Sequence, residues 1–297
     1  MKRILKYNCF IIFALLFLLF PAGSVSQTDG LSTLTKSDSL KSGSSGTNHS
    51  LITGAGYGSN LIYLGSTISQ NQPYGYVSLT YGLKNKLFAS VSAIHLKNLN
   101  PFLAFYTGSV NYSHAFNSWF DISAGIYRYQ VVPSLTDTLF SSFTYADIAF
   151  GIDWKLIYTR LSGGGVFSDD NMAYFQIKNS RYFQIPSLFK GKADISFDPY
   201  LNLLFGTIIE AETSPGKTIT ITAPFRRWRL EGIGTTITTS TRKFGIMEID
   251  FGLPVAFNTD RFTIEAEASY IIPVYQDQDY PGTRGFIFLL SGYFRFF

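Results

Sequence analysis

Four carboxylates stand at alternate positions in two consecutive stretches near the C-terminus: Glu248 and Asp250 in "GIMEIDFGL", Glu265 and Glu267 in "RFTIEAEASY". A spacing of two puts side chains on one face of an extended strand. A turn at Asn258–Asp260 folds the second stretch back on the first, so the expectation is one acidic patch. Four carboxylates that close repel unless a cation, arginine or lysine compensates them. The counter-charges on offer are Arg226, Arg227 and Arg229, the "RRWR" of a long loop that would have to fold inward as a plug. Arg160, Lys178 and Lys192 could serve from the opposite wall. Such a patch attracts and selects cations; its bland counterpart is internal ion pairing that holds a wall together.

Nucleophilic chemistry finds no comparable support. Of three histidines, His49 falls in a polar leader segment, His95 near a strand end, and His114 beside Ser113 in "NYSHAF". Neighbours on a strand point to opposite faces, so Ser113 and His114 cannot share a proton. None shows the His-x-Ser spacing of outer-membrane phospholipases and deacylases, and the expectation is no enzyme and no catalytic residue. Asp169-Asp170-Asn171 reads as a solvated acidic turn rather than a Ca²⁺ loop. "SGGGVF", Ser162 to Phe167, has no helix after it and reads as a bend, not a phosphate loop. No cofactor and no metal site is expected.

The N-terminus sets the compartment. Lys2, Arg3 and Lys6 precede an apolar run of 11 residues, Phe10 to Phe20, and then "PAGSVSQ". These are the three parts of a secretory signal peptide, taken as residues 1–26 with cleavage after Ser26, or after Ser24 as the alternative. With those three charges removed, the formal net charge falls from +4 to +1, and the basis for a nucleic-acid partner goes with them. The single Cys, Cys9, is lost too, so the mature chain has no disulfide or thiolate. Residues 27–50, rich in Ser, Thr and Gly, read as a flexible periplasmic tether. Residues 51–297 read as one all-β domain.

That domain alternates. "FDISAGIYRY" sets Phe120, Ile122, Ala124 and Ile126 against Asp121, Ser123, Gly125 and Tyr127. "KADISFDPYLNLLF" and the two acidic stretches do the same, with Met247 on the apolar side opposite Glu248. The strands run about 10 to 14 residues, near the ~9–11 that cross a bilayer on a tilt. Short connections (84–86, 115–118, 153–155, 186–191, 258–260) alternate with longer polar ones (70–73, 98–102, 132–140, 168–171, 209–243, 276–283). That is the layout of a transmembrane antiparallel up-and-down β-barrel, turns periplasmic and loops outside. The expected strands are 60–69, 74–83, 87–97, 103–114, 119–131, 141–152, 155–167, 173–185, 192–208, 244–257, 261–275 and 284–297. This is about 12 strands with both termini periplasmic; 14 is the alternative if Lys217–Arg242 enters the wall instead of protruding as a hairpin.

Phe and Tyr number 28 and 19, and Tyr74, Tyr76, Tyr112, Trp119, Tyr127, Tyr129, Trp154, Tyr270 and Tyr275 fall near strand ends, as in aromatic girdles. The chain stops at Phe297 in "GFIFLLSGYFRFF". A terminal Phe on a closing strand resembles the assembly signal of outer-membrane barrels, which makes outer-membrane lipid and the barrel assembly machinery the expected partners. The hairpins "YGYVSLTYGLKNKLFASVSA" and "LPVAFNTDRFTIEAEASYIIPVY" and this aromatic end resemble outer-membrane β-barrel proteins of Gram-negative, Bacteroidota-type bacteria, a group with no settled activity to lend.

The period assigns to the lumen Tyr63, Ser78, Thr80, Ser90, Ser92, Thr107, Ser109, Asn111, Asp121, Tyr145, Asp147, Tyr158, Arg160, Gln176, Lys178, Asp194, Asp198 and Asn202 besides the four carboxylates. Two functions follow as expectations. One is a narrow porin-like channel or small-solute transporter for polar or cationic solutes. The other is a closed barrel filled by its own side chains, acting structurally or through its extracellular loops.

Overall fold

The computed structural model describes residues 48–297 except 137, 169–170, 189–191, 214–217, 222–236 and 275–283. The expected signal peptide, nearly all of the expected tether, Arg226, Arg227, Arg229, Asp169, Asp170 and Tyr275 lie outside the described residues.

The chain runs through β1 (His49–Gly58), the two-residue β2 (Ile62–Tyr63) and β3 (Ser66–Thr67), β4 (Tyr74–Leu83), β5 (Leu87–Leu96), β6 (Phe105–Ala115), β7 (Phe120–Val131) and β8 (Phe143–Asp153). It continues through β9 (Tyr158–Phe167), β10 (Met172–Ser180), β11 (Phe183–Leu188), β12 (Ala193–Phe197), β13 (Tyr200–Thr213) and β14 (Thr218–Ile221). It ends with β15 (Ile237–Thr259), β16 (Phe262–Pro273) and β17 (Gly285–Arg295). Each wall strand pairs antiparallel with its neighbours in the order β1, β4, β5, β6, β7, β8, β9, β10, β13, β15, β16, β17, and β17 returns to β1. This is the closed twelve-stranded barrel. β11 and β12 continue β10 and β13 on the turn side, where β12 pairs with the end of β15. On the loop side β13 and β15 run on together, with β14 on the edge, as a hairpin that protrudes and adds no wall strand.

Closure answers the backbone problem of a strand edge in hydrocarbon, where each unpaired group costs several kcal/mol. β17 pairs with β1 from Ile52↔Arg295 to Gly58↔Leu289, and Leu51 N donates to Phe297 O at 3.3 Å. Phe286, Leu290, Phe294 and Phe296 face outward while Ile287, Leu289, Ser291 and Tyr293 are buried inside, so the greasier face of the last strand is the outer one. Around the wall Val77, Val91, Val110, Ile126, Phe150 and Phe251 stand exposed in mid-strand. An apolar belt this continuous is a surface that hydrocarbon covers.

Three expectations need correction. The first wall strand is His49–Gly58, not 60–69. Its inward positions Gly54, Gly56 and Gly58 carry no side chain, which erases the alternation that marks a strand, and His49 becomes its first residue. Met247 does not face outward: the register with β13 slips between Leu204↔Glu248 and Phe205↔Ile246. The extra residue is a β-bulge that turns Met247 and Glu248 both inward, 0% and 1% exposed. Finally, Tyr74, Tyr76, Tyr127 and Tyr129 lie inside the barrel, in no girdle, whereas Tyr112, Trp119 and Trp154 are exposed.

Candidate functional site: the barrel interior

The interior has two zones. At the loop end an apolar plug fills the lumen. The segment after β1 folds inward as the β2–β3 hairpin, turning at Leu64 and Gly65, both with positive φ, where glycine fits best. Leu61, Ile62, Leu64 and Ile68 are buried there, and Leu135, Leu139 and Phe140 come in from the β7–β8 loop. The plug crosses from wall to wall. Tyr63 packs on Tyr129, Phe143 and Tyr145, with centroids 4.8, 5.8 and 5.8 Å away. On the far side a Cβ at Gly65 would stand 3.4 Å from Met247 Cε and 3.5 Å from Leu204 Cδ2. Desolvation pushes the Tyr63 hydroxyl well above its usual range, and it stays protonated.

Asn60 ties the plug together. Its Oδ1 accepts from Thr67 Oγ1 at 2.8 Å and Ser69 Oγ at 2.6 Å, and its Nδ2 donates to Asn71 Oδ1 at 3.0 Å. The Ser69 hydroxyl accepts in turn from Leu61 N at 2.8 Å. Gln70 Nε2 donates to Thr138 O at 2.6 Å, joining the two loops that make the closure.

Beneath the plug the wall is polar. Thr80 and Ser90 hydroxyls are 2.8 Å apart, Asn111 donates to Ser109 at 3.1 Å, Arg160 Nη2 donates to Ser123 at 2.7 Å, and Ser162 to Gln176 at 3.2 Å. Long bridges come from tyrosines that lie across an inward glycine on the adjacent strand and reach the strand beyond. Tyr76 crosses Gly56 to Ser291 (2.8 Å) and Tyr293 (3.2 Å). Tyr158 crosses Gly151 to Asp121 at 2.9 Å, and Tyr200 crosses Gly252 to Glu267 Oε1 at 2.7 Å. Composition points to a girdle for Tyr76, whereas the period already turns Tyr158 inward; the signal that could have found the bridges is an inward Gly registered beside an inward Tyr.

The four carboxylates do face the lumen, but the register parts them. Glu248 lies opposite Pro273 and Asp250 opposite Ile271, while Glu267 lies opposite Pro254 and Glu265 opposite Ala256. The two pairs therefore sit at different heights, about 13 Å apart along the strand between Asp250's partner and Glu267. The lower pair meets Tyr200, whose ring carries Lys178 Nζ 4.0 Å from its centroid. The upper pair lies against the plug, and Asn202 Nδ2 donates to Asp250 Oδ2 at 2.6 Å. The histidines stand apart from any serine partner: His49 bonds Tyr81, His95 stacks on Phe102, and His114 packs on Phe116.

No protein-family model matches this chain, and no curated protein does. Solved structures do resemble it. The KdgM porin is 7% identical with a TM-score of 0.45, over 82% of this chain and 98% of that one. The NanC porin in a rhombohedral crystal form is 10% identical with a TM-score of 0.44, over 82% and 98%. LpxR from Salmonella typhimurium is 7% identical with a TM-score of 0.47, over 82% and 99%. The functional reading rests on the barrel's own geometry.

Proposed function

We propose that this chain spans the outer membrane of a Gram-negative, Bacteroidota-type bacterium as a narrow porin-like channel or small-solute transporter, with no enzymatic role. Its termini face the periplasm, the assembly machinery reads its last strand at Phe297, and the solute is small and polar or cationic, drawn by the carboxylates of β15 and β16. The observation that carries this reading is the division of labour inside. The wall strands below the plug present hydroxyls, amides and charges, as a water-filled path requires. The closure is made by two loops that can move without breaking the wall. Conduction then requires the plug to leave the lumen.

The plug itself favours a second reading, a filled barrel with a structural or surface-binding role through its loops. Single-channel conductance in a planar bilayer under a salt gradient separates the two, comparing full-length mature protein with a variant in which 60–72 is replaced by a short Gly-Ser linker. The channel reading expects brief openings in the first and steady cation-preferring conductance in the second. A correctly folded variant that conducts nothing would leave the filled barrel.

A further inference from the structure

Glu248 is 1% exposed and Asp250 is fully buried, yet their carboxyl groups are within hydrogen-bonding reach of each other. Two acids that close and that dry must hold something positive between them. The surroundings narrow what it is. Above them sit Met247, Leu204 and the tip of the β2–β3 hairpin at Gly65. Below, the Tyr200 ring lies over Gly252, which falls between Asp250 and Pro254 on the inner face of β15, and so roofs this pair off from Glu267. Lys178 stands opposite Asn202 in the ladder but places its ammonium on the Tyr200 ring.

Three further buried atoms point the same way. Among the described residues, Glu248 Oε1, Asn202 Oδ1 and Ser269 Oγ find no hydrogen-bond partner, on residues 1%, 1% and 2% exposed. A buried polar atom left unsatisfied costs about 1–3 kcal/mol. Asn202 lies directly opposite Asp250 and touches it, and Ser269 lies opposite Gly252, one inward position along. Their oxygens are neutral, hard donors at the edge of a doubly acidic pair.

We infer that Glu248, Asp250, Asn202 and Ser269 form a buried all-oxygen site for a hard divalent cation of the calcium class, set into the wall directly beneath the plug. Two carboxylates match the double charge, neutral oxygens complete the shell, and the absence of sulfur and imidazole donors from this set selects against softer metals. The site does not depend on conduction: a filled barrel would hold the ion equally well. Because Met247 packs on the hairpin tip beside Glu248, an ion there would brace the plug's seat.

Tyrosine-sensitised Tb³⁺ luminescence of the full mature protein in detergent, with Ca²⁺ as competitor, tests this directly, since Tyr200 lies beside the site. Saturable one-to-one binding displaced by Ca²⁺ is expected. Glu248→Gln and Asp250→Asn should each lower affinity at least tenfold, and Ser269→Ala, a milder change that keeps the fold, should lower it severalfold. Asp153→Asn, at the turn rim, should leave it unchanged. Ca²⁺ should also raise the unfolding temperature of the native chain and not of Glu248→Gln. No saturable binding by the native protein up to millimolar ion would overturn the site and leave a shared proton between the acids. Binding that survives Glu248→Gln or Ser269→Ala but is lost in Glu267→Gln would overturn it as well.

Discussion

Replacing Asn60 by alanine should unlatch the plug and leave the barrel standing. Asn60 is fully buried and makes three side-chain hydrogen bonds within the β1–β4 connection. Ser69 is also fully buried, so its hydroxyl loses its acceptor with no water to replace it, at about 1–3 kcal/mol. Thr67 and Asn71 are nearer solvent, and each lost bond there costs about 0.5 kcal/mol net. The total is about 2–4 kcal/mol, so the population of molecules with the plug out rises about 30- to 1000-fold at ~1.4 kcal/mol per decade. Native-state hydrogen exchange reads this at two amides: Leu61 N, which donates to Ser69 Oγ at 2.8 Å, and Ile68 N, which donates to Leu61 O at 2.7 Å. Both should exchange faster by that factor while mid-strand amides of β5 and β6 keep their protection. Asn60→Asp retains the acceptor for Thr67 and Ser69 and should show a smaller effect. Less than threefold acceleration at Ile68 in Asn60→Ala would refute the claim that this side chain latches the plug. Equal acceleration throughout the wall would refute the separateness of plug and barrel.

Other positions test other parts of the construction. Gly252→Val sets a Cβ 2.6 Å from Tyr200 Cζ and forces the ring off its bridge to Glu267. Unfolding in denaturant should show a loss of about 1–3 kcal/mol, and an unchanged midpoint would mean the ring does not need that glycine. Val91 is 59% exposed in mid-strand; Val91→Lys should destabilise the barrel folded into lipid vesicles by about 2–4 kcal/mol, and a neutral result would deny that this face meets hydrocarbon. Phe297 is 54% exposed and, among the described residues, contributes its carbonyl alone to the ladder. Its deletion should therefore barely move the unfolding temperature of assembled protein while cutting the yield of assembled barrel severalfold. Normal yield would remove it as an assembly signal.

Most of the wall was legible because a polar lumen and an apolar outside impose strict alternation on each strand. Tyr74–Leu83, Leu87–Leu96 and Phe262–Pro273 lie where that alternation puts them. The reading failed where one face is blank or where a loop is greasy. In β1 the inward face is Gly54, Gly56 and Gly58, made small so that Ser78, Tyr293, Tyr76 and Tyr74 can lie against it. Nothing local in "TGAGYG" announces side chains that arrive from 16 and more residues away. Immediately after it, "NLIYLGSTIS" has the apolar content of a strand because its partners are other plug residues and the apolar wall side chains around them. The bulge at Met247 could not be read either, since a one-residue slip leaves composition and parity looking regular on each side of it. For the carboxylates, the period put all four on the correct face, while their heights depend on the pairing of two whole strands, which only the register shows.

The balance between an open path and a filled barrel turns on how the plug is held, and its construction favours release. A two-stranded hairpin of two residues per strand has no stability of its own. Its order comes from what it touches: Tyr63 against the β7–β8 wall, Gly65 against Met247 and Leu204, and Gln70 against the neighbouring loop. The wall, by contrast, is an unbroken ring of twelve strands whose ladder does not pass through the plug. Two units joined this way open at different free energies, the loosely built one first. A barrel whose purpose was to be solid would gain by closing its lumen with side chains from the wall itself, and this wall instead presents Ser, Thr, Asn and Gln below the plug, crossed by tyrosines laid flat over glycines. At the loop end, wall side chains such as Leu96, Phe105, Phe143 and Met172 close around a separable piece of chain seated on Met247, next to a pair of buried acids. On the channel reading proposed above, that arrangement would serve as a gate, with the control of passage at the seat.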